Sequence, residues 1–514
     1  MVGVETVAAV IGGKHPSLLE QVARKKSLIS QLLMNGSIVL LVTGVGMPVG
    51  FSAILLPQLQ SVDSSLSTDD DQASWIASVH SIMTPVGAVM AGSWMDRYGR
   101  RRVLQAATLP LVLGWLLISL SASHPPLLVG RMMAGFAVGM VPATAQVLIG
   151  EISEPRLRGV FGSSPGIAYA LGILVVYALG SVLPWRIVAV LGIVLPATGC
   201  LLLVAMPESP VWLVHQGRTD DARKALMWLR GEDNNKVNHE LHSLLVHLKA
   251  EEDRLSQEAQ SEASCTLLPN CLTCLARPEV AKPFAIILVF CLLQILSGSY
   301  IVIFYGVDIV SSAVGASDSD LQSLTVAVVT AAIRFVVSIL TTVSLLRLGR
   351  RKIGIISGLG TSVACFLLVG YLQLKRYAFV TFPPSGDVWV ISGLIVFYVA
   401  LNTFGIFGLP SLMLGEVLPS SVRGFVSGFL VMLINLLIFS TVKLYPLVAR
   451  GLGPSGVFLV FGVTASAITL YVYLFLPETK DRPLTQIEQY FATGKNFLWA
   501  SRDRSLMAKN NGLV

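Results

Sequence analysis

The stretch GSWMDRYGRRR, Gly92–Arg102, ends one long apolar run and precedes another. Its skeleton returns 250 positions later as LLRLGRRK, Leu345–Lys352, in the same setting. A glycine beside arginines, placed between two apolar runs, predicts a tight basic turn between two membrane-crossing helices. Gly99 is expected to let the chain turn, and Gly92 to let its helix touch a neighbour.

Two further motifs also occur twice and in the same order. Glu151–Gly159 (EISEPRLRG) recurs as Glu416–Gly424 (EVLPSSVRG), and PES at 207–209 recurs as PET at 477–479. Three motifs repeated in register indicate a duplicated chain. Two homologous membrane halves are typical of a transporter whose site lies between them.

The composition agrees with a membrane protein, since 54% of the 514 residues are hydrophobic and only 13% are charged. About 20 apolar residues cross a bilayer, and the chain contains twelve such runs. The predicted spans are 35–59, 74–95, 103–121, 127–148, 160–180, 186–206, 283–307, 322–346, 353–372, 388–415, 424–446 and 455–476. The fold class is therefore all-α and integral to the membrane, with two bundles of six helices.

Polar segments separate and flank the two bundles. The predicted organisation is a cytoplasmic N-terminal segment at 1–34 without a cleavable signal, a first bundle at 35–206, a cytoplasmic helical linker at 207–282, a second bundle at 283–476 and a cytoplasmic tail at 477–514. Within the linker, His215–Gly231 has the apolar spacing of an amphipathic helix, and a charged helix is expected to follow.

The basic residues predict the orientation. With both termini inside, the inner segments contain 30 of the 37 lysines and arginines, which is a strong positive-inside bias. The net charge of +7 then reflects this asymmetry and an attraction to anionic lipid, so membrane lipid is the expected partner and nucleic acid is not.

Nothing in the sequence predicts a cofactor or an enzyme. There is no phosphate-binding loop and no nucleophile–base or metal constellation. Cys265, Cys271 and Cys274 in the linker form only a weak zinc pattern; cytosolic free thiols and S-acylation are the alternatives.

Five motifs together resemble the sugar-porter branch of the major facilitator superfamily: GSWMDRYGRRR, GRMMAGFAVG, EISEPRLRG, PESPVWL and PETKDRPLTQIE. SWIAS at 74–78 and GRTDDARKALMWLRG are most similar to the insect facilitated trehalose transporter group. The resemblance implies the major facilitator fold, with each bundle built from two inverted repeats of three helices.

The repeated charges predict a cytoplasmic gate that latches the two bundles when the site opens outward. Exposed pairs contribute only about 0–1 kcal/mol each, which suits contacts that must break in every cycle. The alternative is topology alone, because arginines here also satisfy the positive-inside rule. The candidate gate residues are Asp96, Arg97, Arg100, Arg101, Glu151, Arg158, Arg350, Arg351, Glu416 and Arg423.

The predicted substrate pocket departs from the family pattern. Helix 7 reads QILSGSY where sugar porters usually read QQLSGIN, Ser411 follows Pro410 where a tryptophan is usual, and Gly166 replaces a common sugar-binding glutamine. Sugar recognition needs amide and hydroxyl groups together with an aromatic face. The candidate pocket residues are Gln294, Tyr300, Asn402, Ser411, Arg334, Asn435, Tyr169 and Phe404.

Three of these assignments have alternatives from sequence alone. Asn402 and Asn435 could instead make helix–helix hydrogen bonds. Arg334 is expected to face a cavity or a partner, because an intramembrane arginine is costly.

The leading hypothesis is a facilitative carrier of a sugar or polyol, such as trehalose or a hexose, in the plasma membrane. A nutrient sensor with the transporter fold and a carrier of an organic anion are the alternatives. The sequence leaves the oligomeric state undecided.

Overall fold

A computed structural model describes residues 18–60, 66, 68–154, 157–261, 278–314, 320–377, 384–417, 423–479 and 491. All the regular elements in these ranges are α-helices. The first half consists of α1 (Leu18–Gln60), α2 (Asp70–Tyr98), α3 (Arg100–Leu120), α4 (His124–Ile152), α5 (Arg158–Gly180), α6 (Trp185–Leu191) and α7 (Val194–Val204). Three linker helices follow, namely α8 (Pro210–His215), α9 (Thr219–Leu229) and α10 (Asn234–Ser261).

The second half repeats the pattern with more interruptions. It consists of α11 (Pro278–Leu296), α12 (Ile301–Phe304), α13 (Gly306–Val314), α14 (Asp320–Leu348), α15 (Arg350–Arg376), α16 (Pro384–Phe404), α17 (Leu409–Val417) and α18 (Arg423–Phe475). Gly453 has a φ of 66° and divides α18 into two helices.

Ten helices of the described residues are long and apolar enough to cross a membrane, and the last of these contains both parts of α18. With α11 and its continuation, twelve crossings result, which confirms the predicted all-α membrane fold. The predicted ends agree with the helices to within five residues, except at the start of α1, at the end of the seventh crossing, which runs to Val314, and at the end of the eleventh, which continues to the break at Gly453.

Helix α1 begins at Leu18, well before the predicted span at 35. Its first turns contact the linker: Ser27 donates a hydrogen bond to the carbonyl of Leu229 at 2.8 Å. Arg230 of the linker is buried, pairs with Glu240 at 2.7 Å and donates to the carbonyl of Ile152. The linker is thereby attached to the first half.

Glycines allow α2 and α4 to approach closely. A Cβ at Gly135 would lie 2.1 Å from the carbonyl oxygen of His80, and one at Gly139 would lie 2.0 Å from that of Thr84. Only a residue without a side chain fits at such distances. The expected contact at Gly92 is wrong, because a Cβ there would meet nothing within 4 Å.

Three membrane crossings that were predicted as continuous are broken. The sixth is interrupted between Leu191 and Val194, and the other two lie in the second half. The seventh is interrupted between Leu296 and Ile301, where Gly298 has a φ of 84°. The tenth is interrupted between Phe404 and Leu409. Broken helices leave backbone carbonyls without helical partners in the middle of the molecule, and these breaks position the site described next.

Candidate functional site

The two basic turns have the same three-dimensional construction. Gly99 and Gly349 have φ angles of 97° and 85°. Glu208 accepts a hydrogen bond from the backbone N–H of Arg101 at 2.9 Å, and Glu478 accepts one from that of Arg350 at 2.9 Å. The PES and PET motifs therefore cap the helix that follows each turn, so the sequence duplication is also structural.

The described contacts of the predicted gate residues lie within single halves. Arg100 bonds Glu151 at 3.1 Å and pairs with Asp96 at 3.5 Å. Glu151 also accepts a hydrogen bond from Ser209. These contacts join the turn to α4 and to the start of the linker.

The other gate candidates follow the same pattern. Arg101 donates to the carbonyls of Val204 and Met206, and Arg351 donates to that of Tyr473. Arg97 lies 5.4 Å from the Tyr98 ring centroid, Arg158 is exposed, and the backbone of Arg350 is bound by Glu478. The side chains of Glu416 and Arg423 lie outside the described residues. A latch between the halves stays a prediction.

Arg334 of α14 is the centre of a buried polar cluster. Its side chain is 4% exposed, and its guanidinium carbon lies 5.0 Å from the centroid of the Phe407 ring. Its Nη1 is buried without a hydrogen-bond partner in the described part of the chain. The tyrosines that interact electrostatically with it are Tyr177, Tyr398, Tyr169 and Tyr300.

The four tyrosines of this cluster come from both halves. Two of their hydroxyls make hydrogen bonds to described residues and two do not. Tyr177 donates to the carbonyl of Ile303 at 2.7 Å, and Tyr398 donates to that of Ser297 at 2.6 Å. Both carbonyls lie at the broken seventh crossing.

Tyr169 of α5 and Tyr300 next to the break are only partly buried. Among the described residues, neither of these hydroxyls has a hydrogen-bond partner. Together with Nη1 of Arg334 they are donors, on elements from both halves, that no described residue uses. A Cβ at Gly166, one turn before Tyr169, would also meet nothing within 4 Å.

Two of the three predicted amide residues instead hold the broken helices together. Gln294 donates to the carbonyl of Phe407 at 2.8 Å. Asn402 accepts a hydrogen bond from Ser299 at 2.8 Å, which links the tenth crossing to the seventh. Asn435 donates to the carbonyl of Val431 in its own helix.

The remaining two pocket candidates have no described contact with the cluster. Ser411 is exposed, and Phe404 packs against the apolar core of the second half. The structure therefore brings together Tyr169, Tyr300 and Arg334 of the eight predicted pocket residues.

Sequence reasoning missed Tyr177, Tyr398 and Phe407, because single aromatic residues in apolar runs are usually core residues. It also missed His80 of α2, which is 2% exposed. Both ring nitrogens of His80 lack a partner among the described residues, and its ring centroid lies 6.4 Å from that of Phe304 in the other half. A histidine in an apolar membrane span was the available signal.

A second polar cluster joins the halves at the end of the molecule where α2 begins. We call it the outer clamp, and it consists of Asp70, Asp71, Ser74, Trp75, Phe439, Lys443 and Arg450. Lys443 donates to Asp71 and to Ser74, both at 2.7 Å, and its Nζ lies 4.3 Å from the Trp75 ring centroid. Trp75 contacts Phe439, and Arg450 pairs with Asp70.

Twelve crossings in two like halves, with a buried polar cluster between them, define a membrane carrier of the major facilitator type. The fold agrees with solved structures of the proton:xylose symporter XylE bound to 6-bromo-6-deoxy-D-glucose (TM-score 0.67, 18% identity, 89% of this chain and 99% of that one). It agrees equally with an inward open conformation of the xylose transporter XylE from E. coli (TM-score 0.68, 17% identity, 90% and 99% covered).

The family follows from sequence comparison. Residues 45–491 match the family model for "Sugar (and other) transporter", and the chain belongs to this family. It is 30% identical to the facilitated trehalose transporter Tret1 of Culex quinquefasciatus, over 86% of this chain and 83% of that one. It is also 30% identical to Tret1 of Apis mellifera ligustica, over 86% and 84% respectively. The predicted resemblance to sugar porters is confirmed, and the chain is a multi-pass membrane protein.

Proposed function

We propose that this protein is a facilitative transporter of a sugar such as trehalose or a hexose, working by alternating access between its two halves. The observation that carries the proposal is the cluster around Arg334, which takes residues from both halves and keeps donors free. A substrate bound there would contact both halves at once, as a rocking mechanism requires. The names of the trehalose transporter relatives support the substrate class.

The chemistry of the cluster suits a hydroxyl-rich solute. Each sugar hydroxyl that leaves water needs a replacement hydrogen bond, since an unsatisfied buried polar group costs about 1–3 kcal/mol. Arg334, Tyr169 and Tyr300 supply donors, and the tyrosine hydroxyls can also accept. The rings of Tyr300 and Phe407, with centroids 5.6 Å apart, offer an apolar surface for the sugar ring.

We propose that the outer clamp closes the extracellular side and that the basic turns lie at the cytoplasm, with both termini there and the protein in the plasma membrane. The positive-inside bias supports this orientation. The gate residues would then latch the halves only after the outer clamp opens. Their present bonds within single halves are compatible with that cycle.

Uptake into proteoliposomes tests the function. Purified protein is reconstituted and offered radiolabelled trehalose, glucose, a polyol and an organic anion in parallel. Uptake of a sugar that saturates and is competed by unlabelled sugar is the expected result. Sugar binding without flux would indicate a sensor, and flux of the organic anion alone would refute the proposed substrate class.

A further inference from the structure

A cavity of about 380 Å³ lies between the Gly99 turn, the end of α7 and the linker helix α9. It is separate from the cluster around Arg334. Its lining includes four cations and two carboxylates, which are Arg101, Arg102, Arg218, Lys224, Glu208 and Asp221. Trp212 and Trp228 complete one wall.

Both carboxylates of the cavity already have hydrogen-bond or ion-pair partners within the protein. Glu208 accepts from the backbone N–H groups that begin α3. Asp221 pairs with Arg218 at 2.7 Å and with Lys224 at 3.5 Å. The hydrogen bond from Arg218 holds the pKa of Asp221 below its usual range, so Asp221 is ionised at neutral pH.

The cations keep donors free. Nε of Arg101 is buried without a partner among the described residues, while its Nη1 holds the carbonyls at the end of α7. The guanidinium of Arg102 has no partner in the described part of the chain either. Lys224 is 80% exposed and can turn towards an anion. The cavity therefore has a positive charge balance and unmet donors, which favours a phosphate.

Exposed apolar side chains of α3 and α7 form an apolar track that ends at this cavity. Arg102 shares one face of α3 with Leu109, Leu113 and Leu120, which are 66%, 48% and 79% exposed. The neighbouring helix α7 exposes Leu201 and, nearest the cavity, Val204. Exposed leucines on membrane helices face lipid chains, so a chain lying along this track would carry its headgroup to the cavity.

We propose that the cavity binds the headgroup of an anionic phospholipid, with its phosphate between Arg101, Arg102 and Lys224. The acyl chains of this lipid lie along the exposed faces of α3 and α7. Free inorganic phosphate would satisfy the cations but would leave the apolar track unused. The proposal does not rest on transport, so uptake measurements and this binding measurement can fail independently.

Lipid binding to the purified full chain tests the proposal. The protein in detergent is titrated with phosphatidylglycerol, with phosphatidylcholine and with inorganic phosphate, and bound molecules are counted by native mass spectrometry. We expect phosphatidylglycerol to bind more tightly than phosphatidylcholine, and Arg102→Gln and Lys224→Gln each to weaken it about fivefold. Lys236→Gln is the matched control, because Lys236 also pairs with an aspartate three residues earlier, at 3.3 Å, but does not line the cavity.

Three outcomes would overturn the proposal. Equal affinity for the two lipids, or an equal effect of Lys224→Gln and Lys236→Gln, would remove the specific headgroup site. Inorganic phosphate that binds as tightly as phosphatidylglycerol, with the same dependence on Arg102, would identify a soluble anion as the ligand.

Discussion

Arg131 and Arg334 are both buried in membrane-spanning helices, but their hydrogen bonding differs. Arg131 donates to the carbonyls of Pro48 at 2.5 Å and Ile76 at 3.2 Å, and to the hydroxyl of Ser52. These bonds join α1, α2 and α4, so Arg131 supports the fold. Nη1 of Arg334 has no hydrogen-bond partner among the described residues, which carries an energetic cost unless a ligand meets it.

Replacing Arg334 by glutamine should therefore impair transport without unfolding the protein. A hydrogen bond to a charged group contributes about 1.5–3 kcal/mol, so uptake at low substrate should fall roughly 10- to 150-fold. Arg131→Gln is the matched control and should instead lower the melting temperature. If Arg334→Gln lowers the melting temperature as much as Arg131→Gln does, Arg334 is structural and the binding cluster lies elsewhere.

At this scale the sequence predicted residue types better than their roles. Arg334, Tyr169 and Tyr300 could be identified because charged and phenolic groups are unusual in apolar helices. Gln294 and Asn402 looked equally suited to a sugar. In the structure their amides bind carbonyl and hydroxyl groups at the helix breaks, and these bonds join residues more than 100 positions apart, which one sequence does not reveal.

At the scale of elements, the Gly99 turn depends on its glycine for two separate reasons. Its φ of 97° and ψ of 156° lie in a region almost restricted to glycine. A Cβ there would also lie 2.6 Å from Oε2 of Glu208, the residue that caps α3. Gly349 meets both conditions as well, since a Cβ there would lie 2.7 Å from Oε2 of Glu478.

Gly99→Ala and Gly349→Ala should each destabilise the protein by about 1–3 kcal/mol through backbone strain alone. The caps at Glu208 and Glu478 would be displaced as well. Gly92→Ala, in the same motif as Gly99, should have little effect, since its Cβ would meet open space. Thermal unfolding of the three purified variants measures this difference. If Gly92→Ala lowered the stability as much as Gly99→Ala does, the role assigned to Gly99 in the turn would be contradicted.

The contrast between these two glycines also shows what sequence could establish about the elements. Duplication and positive charge predicted both turns, because the repeat places a glycine between apolar runs twice. Which glycine turns the chain and which merely lies in a helix depends on φ angles and neighbours. The early start of α1 likewise depends on its contact with a linker more than 200 residues away in the sequence.

For the whole molecule, the outer clamp connects the two halves and should influence which side is open. Replacing Lys443 by methionine removes an exposed ion pair of about 0–1 kcal/mol and a cation–π contact of about 0.5–1 kcal/mol. The ratio of closed to open clamp should then fall by roughly 2- to 30-fold. A cysteine introduced at Phe439, in a background without the native cysteines, should react faster with an impermeant maleimide added outside.

The control for this prediction is another ion pair at the same end of the molecule. Lys375 pairs with Asp387 at 3.0 Å, but both residues belong to the second half. Lys375→Met should leave the reactivity of the cysteine unchanged. If both variants made the cysteine at position 439 react equally faster, the cause would be a general loosening of the structure and not separation of the two halves.

The energy source is also a property of the whole molecule, since coupling requires a group that binds a proton on one side and releases it on the other. From Leu28 to Val62, through most of α1, the sequence contains no aspartate or glutamate. The described hydrogen bonds of Arg131 all go to neutral acceptors, so this arginine does not depend on a carboxylate in α1. Asp308 and His80 are the two described candidates for a proton-binding group in the interior; Asp308 interacts electrostatically with Tyr177 of the cluster around Arg334, whereas no described contact joins His80 to that cluster.

We therefore expect passive transport that a proton gradient does not drive. Vesicles with and without an imposed pH gradient should reach the same internal sugar concentration, equal to that outside. A proton ionophore should change neither the rate nor the final level. Accumulation above the outside concentration that collapses with the ionophore would contradict this expectation, because only a coupled proton could supply the energy. In that case Asp308→Asn and His80→Gln would separate the two candidates, since only the variant that loses the proton-binding group would lose accumulation while retaining exchange of sugar across the membrane.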